Sequence, residues 1–221
     1  IIKLYSIKSS KIDVILNGVN ETFVPLDNNT KTSVKVKYTN GYPYFIYVGS
    51  LNPRKNIVNL LKAYELFRNC SRQKIKLILC GNKMWWNNDM ETTYRNMRFK
   101  DDVIFTGRVT NDELQLLLGS ATALVYVSTF EGFGLPILEA MRSDVPVITS
   151  NVTAMPEVAG NAAILVDPFS VQSISNGMLQ LIEEEGLIQS LIERGRQQSQ
   201  MFSWQKTTDL LWNSILKTLN S

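Results

Sequence analysis

The chain has 221 residues, 44% of them hydrophobic, and 23 basic against 20 acidic side chains give a formal charge of +3. That composition suits a globular protein with a substantial core, and the near-balance of charge, with no long block of one sign, argues against nucleic acid as a partner. Cys70 and Cys80 are the only cysteines and Cys80 sits in an apolar run, which argues against a disulfide framework or a zinc site, while no apolar run approaches the roughly 18 residues of a membrane span. The expected location is a reducing cytoplasm, with peripheral attachment at the inner face of a membrane as a variant. The chain opens at Ile1 rather than Met, inside what reads as continuing sequence and with no signal-like segment, so a piece of a longer polypeptide is expected; it also holds no histidine.

In chain order, Lys11 to Leu16 reads as a lone strand ending at the turn signal Asn17-Gly18. Residues 1–19 are assigned to the tail of a preceding domain, and the polar stretch 20–42 to a linker. From there short apolar runs alternate with helix-like segments: Tyr44 to Val48, Ile75 to Cys80, Val103 to Thr106, Thr122 to Val127, Pro146 to Thr149 and Ala162 to Val166. Runs of this kind, separated by helices, predict an α/β fold with a Rossmann-like parallel sheet and helices on both faces. After the first run, Ile57, Leu60, Leu61, Tyr64 and Phe67 recur at helical spacing with Lys62, Glu65 and Arg68 on the other face. Thr110 or Asn111 can cap a helix ending near Leu118, and Pro136 suits a first helical position. Beyond Phe169 the chain is helical, with breaks near Gly186 and Phe202 and Ser203 as cap of a helix over Trp204 to Leu219. The domain expected over 43–201 is thus followed by a last helix in 202–221.

Two loops carry the chemistry. The first, Gly49-Ser-Leu-Asn-Pro-Arg54-Lys55-Asn56, is a glycine turn from strand to helix that presents two cations. The second, Glu131-Gly-Phe-Gly-Leu-Pro-Ile-Leu-Glu139, leaves a strand and enters a helix. In open α/β sheets such loops lie at the carboxyl ends of the strands, where ligands bind. Gly132 and Gly134 allow close backbone approach, and helix-start N–H groups suit phosphate. Glu139, placed in the first helical turn, would be stabilised by the helix dipole and could accept hydrogen bonds from a ribose diol. Arg54, Lys55 and the second loop are expected to converge on one diphosphate. Trp85-Trp86 reads as packing or an exposed insertion and stays outside the site.

Taken together, Val14-Ile-Leu-Asn-Gly-Val19, Tyr47-Val-Gly-Ser-Leu with Arg54-Lys-Asn, Phe105-Thr-Gly-Arg-Val109, Glu131 to Glu139, Pro146-Val-Ile-Thr-Ser and Pro156-Glu-Val-Ala-Gly160 resemble, in order and spacing, the C-terminal half of the retaining group 1 glycosyltransferases of GT-B architecture. The resemblance covers nearly the whole chain and lies closest to mannosyltransferases. It implies that Glu131 and the amides of Gly132, Phe133, Gly134 and Leu135 face the donor sugar, that Glu139 holds the ribose, and that Lys55, aided by Arg54, meets the diphosphate beside Gly49 and Ser50. Lys55, Arg54 and Glu131 are the implied catalytic set, and Gly81-Asn82 and Arg108-Val109 would flank the base. Many members carry a basic residue where this chain has Ser50, and Arg54 is the candidate replacement. The resemblance also implies an acceptor site and a functional histidine on the preceding N-terminal domain, contact of Lys11 to Leu16 and of the last helix, through Trp204 and Trp212, with that domain, a glycan or lipid-linked acceptor, and GDP-mannose or a UDP-sugar as donor. No Asp-x-Asp motif occurs, so neither metal nor resident cofactor is expected, and the chain alone is expected to bind donor without turnover.

Rival functions are weaker. A nicotinamide dehydrogenase would need a third glycine where Ile137 stands, and no phosphate loop of the Gly-x-x-x-x-Gly-Lys type occurs. A nucleotide-sugar epimerase, a sugar phosphorylase and a non-catalytic nucleotide-sugar-binding protein remain as alternatives.

Overall fold

The computed structural model describes residues 2–219. Each apolar run forms a strand: β1 (Tyr44–Val48), β2 (Lys76–Cys80), β3 (Val103–Gly107), β4 (Ala123–Tyr126), β5 (Val147–Ser150) and β6 (Ala163–Val166). The six pair in parallel in the order β3-β2-β1-β4-β5-β6. β1, β2, β4 and β5 are buried along their whole length, whereas the edge strands β3 and β6 are only partly covered. Covering both faces removes nearly every side chain of the central strands from water, which stabilises the fold by roughly 1.5–3 kcal/mol for each large apolar residue.

The helices are α1 (Ile2–Tyr5), α2 (Asn28–Thr39), α3 (Ile57–Cys70), α4 (Asn88–Asn96), α5 (Asn111–Gly119), α6 (Leu135–Arg142), α7 (Met155–Ala159), α8 (Val171–Glu183), α9 (Leu187–Ser199) and α10 (Trp204–Leu219). α3 buries Ile57, Leu60, Leu61, Tyr64 and Phe67, the face expected from spacing, and packs against α8, while α6 packs against α9. Thr110, not Asn111, caps α5 by accepting from Glu113 N at 3.2 Å. Ser203 caps α10 through Lys206 N.

The strand order decides where a ligand can sit. The chain steps from β1 outward to β2 and β3, then crosses back to β4 on the other side of β1. In a doubly wound parallel sheet right-handed crossovers send the helices to opposite faces on the two sides of such a reversal, which makes the carboxyl ends of β1 and β4 the place where a ligand is expected.

Two expectations fail upstream. Residues 11–16 form no strand: Ser9–Lys11 is a 3-10 turn and the extended chain after it joins no sheet edge. Its partner is α10, whose side chains take the place of a strand ladder: Thr207 Oγ1 donates to Leu16 O at 2.7 Å, and Ser214 and Lys217 both bond Asp13. Gly18 permits the crossing, because a Cβ there would lie 2.3 Å from Trp204 N. The stretch 20–42 is not a bare connection either. It contains α2, capped by Asp27 and joined to α5 through a Tyr38 hydroxyl donated to Glu113. Within α2 only Val34 and Thr39 are buried, so the helix's apolar signal is faint. Among the described residues no helix is long and apolar enough to cross a membrane.

Candidate functional site

The turn after β1 is shaped by Asn52, whose side chain accepts from Lys55 N and caps the short 3-10 turn Pro53–Lys55. That turn aims Arg54 and Lys55 across the switch point at the segment leaving β4. Lys55 Nζ donates to Glu131 Oε1 at 2.5 Å and to Tyr126 Oη at 2.7 Å, and Arg54 Nη1 donates to Glu131 Oε2 at 3.0 Å and to Phe130 O at 2.7 Å. The backbones are laced together as well. Thr129 N and Oγ1 both donate to Arg54 O, and the buried Asn56 donates to Val127 O. Thr153 Oγ1 accepts from Glu131 N and holds the second loop from the β5 side.

Lys55 and Glu131 are both nearly inaccessible, at 9% and 8%. Burying a charge is tolerated only with a partner, so the pair explains how both remain inside. Burial pushes the Glu131 carboxyl up, but the Lys55 ammonium, by hydrogen bond and by charge, together with the neighbouring Ser128 and Tyr126 hydroxyls, outweighs it and holds the carboxyl below its ordinary range. Two cations share one carboxylate, so the cluster keeps one surplus positive charge at the carboxyl edge of the sheet.

The glycine turns are bound by close approach. Gly49 N donates to Cys80 O, Leu51 N to Asn82 O and Gly81 N to Gly107 O, which ties the ends of β1, β2 and β3 to one another. Gly81 has φ +156°, and a Cβ on it would stand 1.8 Å from Gly49 O, so no larger residue fits. In the second loop Gly134 takes φ +108° as N-cap of α6, and no side chain caps that helix start.

Glu139 departs from expectation. α6 begins at Leu135, so Glu139 is its fifth residue, beyond the first turn where the dipole acts. Half-buried and without a hydrogen bond among the described residues, its carboxyl is pushed up to about 7 by burial alone. Arg54, Lys55 and Glu131 are brought together directly. Ser50 is exposed and its hydroxyl accepts from Asn52, while Arg108, Gly132 and Leu135 are exposed and Val109 and Phe133 are partly covered. The Asn82 and Arg108 side chains are exposed and make no hydrogen bond among the described residues. Trp85 is 60% exposed, whereas Trp86 packs edge-on against Tyr94 and Phe105.

Tyr126 and Thr153 were not among the residues singled out by motif, and Asn56 closed the first motif without a role assigned to it. Tyr126 reads as one more apolar strand residue, and the available signal was its hydroxyl, which needs a partner when buried. A cavity of about 340 Å³ adjoins Gly132 and Phe133 and is closed by residues 14–17, Glu157 and Phe202. A larger hollow, about 640 Å³, lies between α2 and α5 and is lined by none of the predicted site residues.

Comparison with known proteins bears on this geometry. The family profile described as glycosyl transferases group 1 matches residues 28–198. The O-antigen chain mannosyltransferase B of Escherichia coli is 34% identical over 209 residues, covering 94% of this chain and 55% of that protein. The chain thus spans about half the length of that relative. Among solved structures, a glycosyltransferase from Rickettsia africae superposes with a TM-score of 0.84 at 20% identity, covering 97% of this chain and 59% of its own. Anabaena Alr3699/HepE, solved in complex with UDP-glucose, gives 0.79 at 17% identity, covering 94% and 57%. Both likenesses establish the GT-B fold.

Proposed function

This chain belongs to the group 1 glycosyl transferases, and from that premise we propose that it is the donor-binding half of a retaining hexosyltransferase. The donor is a nucleotide-diphosphate sugar; the mannosyltransferase relative favours mannose as the sugar, and GDP-mannose and a UDP-sugar are the two candidates. The acceptor, a glycan or a lipid-linked glycan, is bound by residues outside this chain.

The observation that carries the reading is the Arg54–Glu131–Lys55 cluster at the switch point between β1 and β4. Breaking the bond from sugar to diphosphate builds negative charge on the leaving group, and preorganised donors aimed at that charge are usually the largest catalytic contribution. Lys55 has one N–H beyond those given to Glu131 and Tyr126 and meets the diphosphate, while Arg54 supplies a second cation in the absence of a basic residue at Ser50. Glu131 holds both cations in place through its carboxylate, and the amides of Gly132 to Leu135, at a helix start that no side chain caps, face the sugar and phosphate oxygens. Gly49, Ser50, Gly81, Asn82, Arg108 and Val109 border the nucleotide, and Glu139 accepts from the ribose hydroxyls. In this reading the two cations take the charge-neutralising part a divalent metal plays elsewhere, and no resident cofactor takes part.

The test is calorimetry and thermal melting of this chain with GDP, UDP and their sugars in the presence of a chelator. Binding of one diphosphate series with a raised Tm is the expected result. Silence toward both series, or binding only after metal is restored, overturns the corresponding part of the proposal.

A further inference from the structure

The motifs account for Lys55 and Glu131 but not for the residue that joins them from the sheet. Tyr126 ends β4, is 2% exposed, and accepts a hydrogen bond from Lys55 Nζ at 2.7 Å. An ammonium has three N–H groups. Two of Lys55's are taken in fixed directions by Tyr126 Oη and Glu131 Oε1, and no other bond to Nζ occurs among the described residues. The ammonium lies 5.0 Å from the Tyr126 ring centroid, so the close contact is with the phenol oxygen rather than the ring face.

The chemistry of the acceptor matters. A second carboxylate at this point would cancel the surplus charge left by Arg54 and Lys55 against Glu131. A phenol orients the ammonium without cancelling anything, and burial together with the Glu131 charge keeps this phenol protonated. A phenyl ring of the same shape would leave Lys55 tethered by Glu131 alone, on a four-carbon stem with free rotors.

Tyr126 is itself held rigidly. Its ring stacks on Tyr47 of β1 at 6.2 Å and 15°, its carbonyl accepts from Thr149 Oγ1, and Tyr47 in turn donates to Ser50 O in the first loop. The tyrosine pair therefore couples the two strand ends that carry the cations and the carboxylate.

We propose that Tyr126 is a positioning residue for the donor diphosphate: with Glu131 it fixes the Lys55 ammonium so that its remaining N–H and the surplus charge meet phosphate. The assignment rests on the donor-binding reading above. Its test is calorimetry of this chain with GDP and UDP, and in parallel with guanosine and uridine, which lack phosphate. Tyr126→Phe is expected to raise the Kd of the diphosphate that binds about tenfold and to leave the Kd of its nucleoside unchanged. Tyr64→Phe, which removes an equally buried hydroxyl bonded to Ile75 O at the amino edge of the sheet, is expected to change neither. Unchanged diphosphate affinity in Tyr126→Phe, or an equal loss for nucleoside and diphosphate, overturns the assignment. A native chain silent to both diphosphates overturns the donor reading and this assignment with it, so the two failures are told apart. A second measurement needs no variant. In a lysine-ammonium ¹H–¹⁵N spectrum of the native chain, Lys55 should exchange slowly and shift on adding the diphosphate but not the nucleoside; an unshifted resonance refutes the role.

Discussion

The switch point and the last helix reverse the usual distribution of polar and apolar groups. Between β1 and β4, Lys55 and Glu131 lie inside the protein, with Arg54 joined to them. Along α10, Trp204, Leu210, Leu211, Trp212, Ile215, Leu216 and Leu219 lie outside, and no residue of that helix is buried. The first arrangement persists because each charge has a partner within hydrogen-bonding distance, so removing one member exposes the others to an environment that cannot solvate them. The second persists because α10 is held by a few polar bonds to residues 13–16 rather than by its apolar side chains. A buried charge depends on its partners for stability, while an exposed apolar side chain does not.

Substitutions at the two regions should therefore differ in size, and the largest effect belongs to Glu131. Glu131→Ala strands Lys55 in the interior and should lower the unfolding free energy by about 3 kcal/mol, read from urea midpoints at neutral pH. Because the folded Glu131 carboxyl is held below its ordinary 4.5, its contribution is complete above that pH and is lost as the pH falls further. The difference between native chain and Glu131→Ala should shrink in acid, and a constant difference would break the pairing argument.

Glu139 comes next and has the opposite sign. Its carboxyl rises from 4.5 to about 7 on folding, so the unfolded chain releases that proton first. Stability should decline as the pH climbs from about 4.5 to about 7 and level off above, and Glu139→Gln should flatten that decline. If the ionised carboxyl accepts from ribose, nucleotide affinity should rise over the same interval in the native chain. Glu139→Ala should weaken nucleotide binding by about 1.5–3 kcal/mol at pH 8, where the carboxyl is charged. An unchanged Kd across both pH and variant would remove Glu139 from the ribose role.

The smallest effect is expected at α10. Trp212→Ser should alter the urea midpoint by less than the equivalent of about 0.5 kcal/mol, because the indole is 58% exposed in this chain. A loss as large as that of Glu131→Ala would mean that α10 is anchored by apolar contact after all.

Legibility in the sequence followed the strength of the local signal. The four central strands were readable because residues covered on both faces must be apolar almost throughout, the edge strands β3 and β6 because they too are short apolar runs between helix-like segments, and the three C-terminal helices because Gly186 and Ser203 mark their boundaries. α2 was missed because a helix with two buried residues has almost no apolar stripe to betray it. The strand expected over 11–16 failed for a complementary reason: an extended, partly apolar segment forms a strand only if a sheet edge is free to receive it, and here α10 took that place. Within the site, Lys55, Arg54 and Glu131 were legible through the glycine turns that flank them. Tyr126 was not, since its hydroxyl is invisible to a pattern that counts it as an apolar strand residue.

The amino-acid sequence by itself determined the alternation of strands and helices, the glycine turns at the ends of β1 and β4, and the membership of the charged residues in those turns, because each depends on spacing and backbone freedom along a few adjacent residues. Only the tertiary structure decided that Arg54 and Lys55 share one carboxylate, that a phenol from the sheet takes a second of the ammonium's three N–H groups, and that Glu139 is governed by burial rather than by the helix dipole. Those outcomes depend on strand order, which brings residues more than 70 positions apart into contact, and on solvent exclusion, which no local pattern encodes.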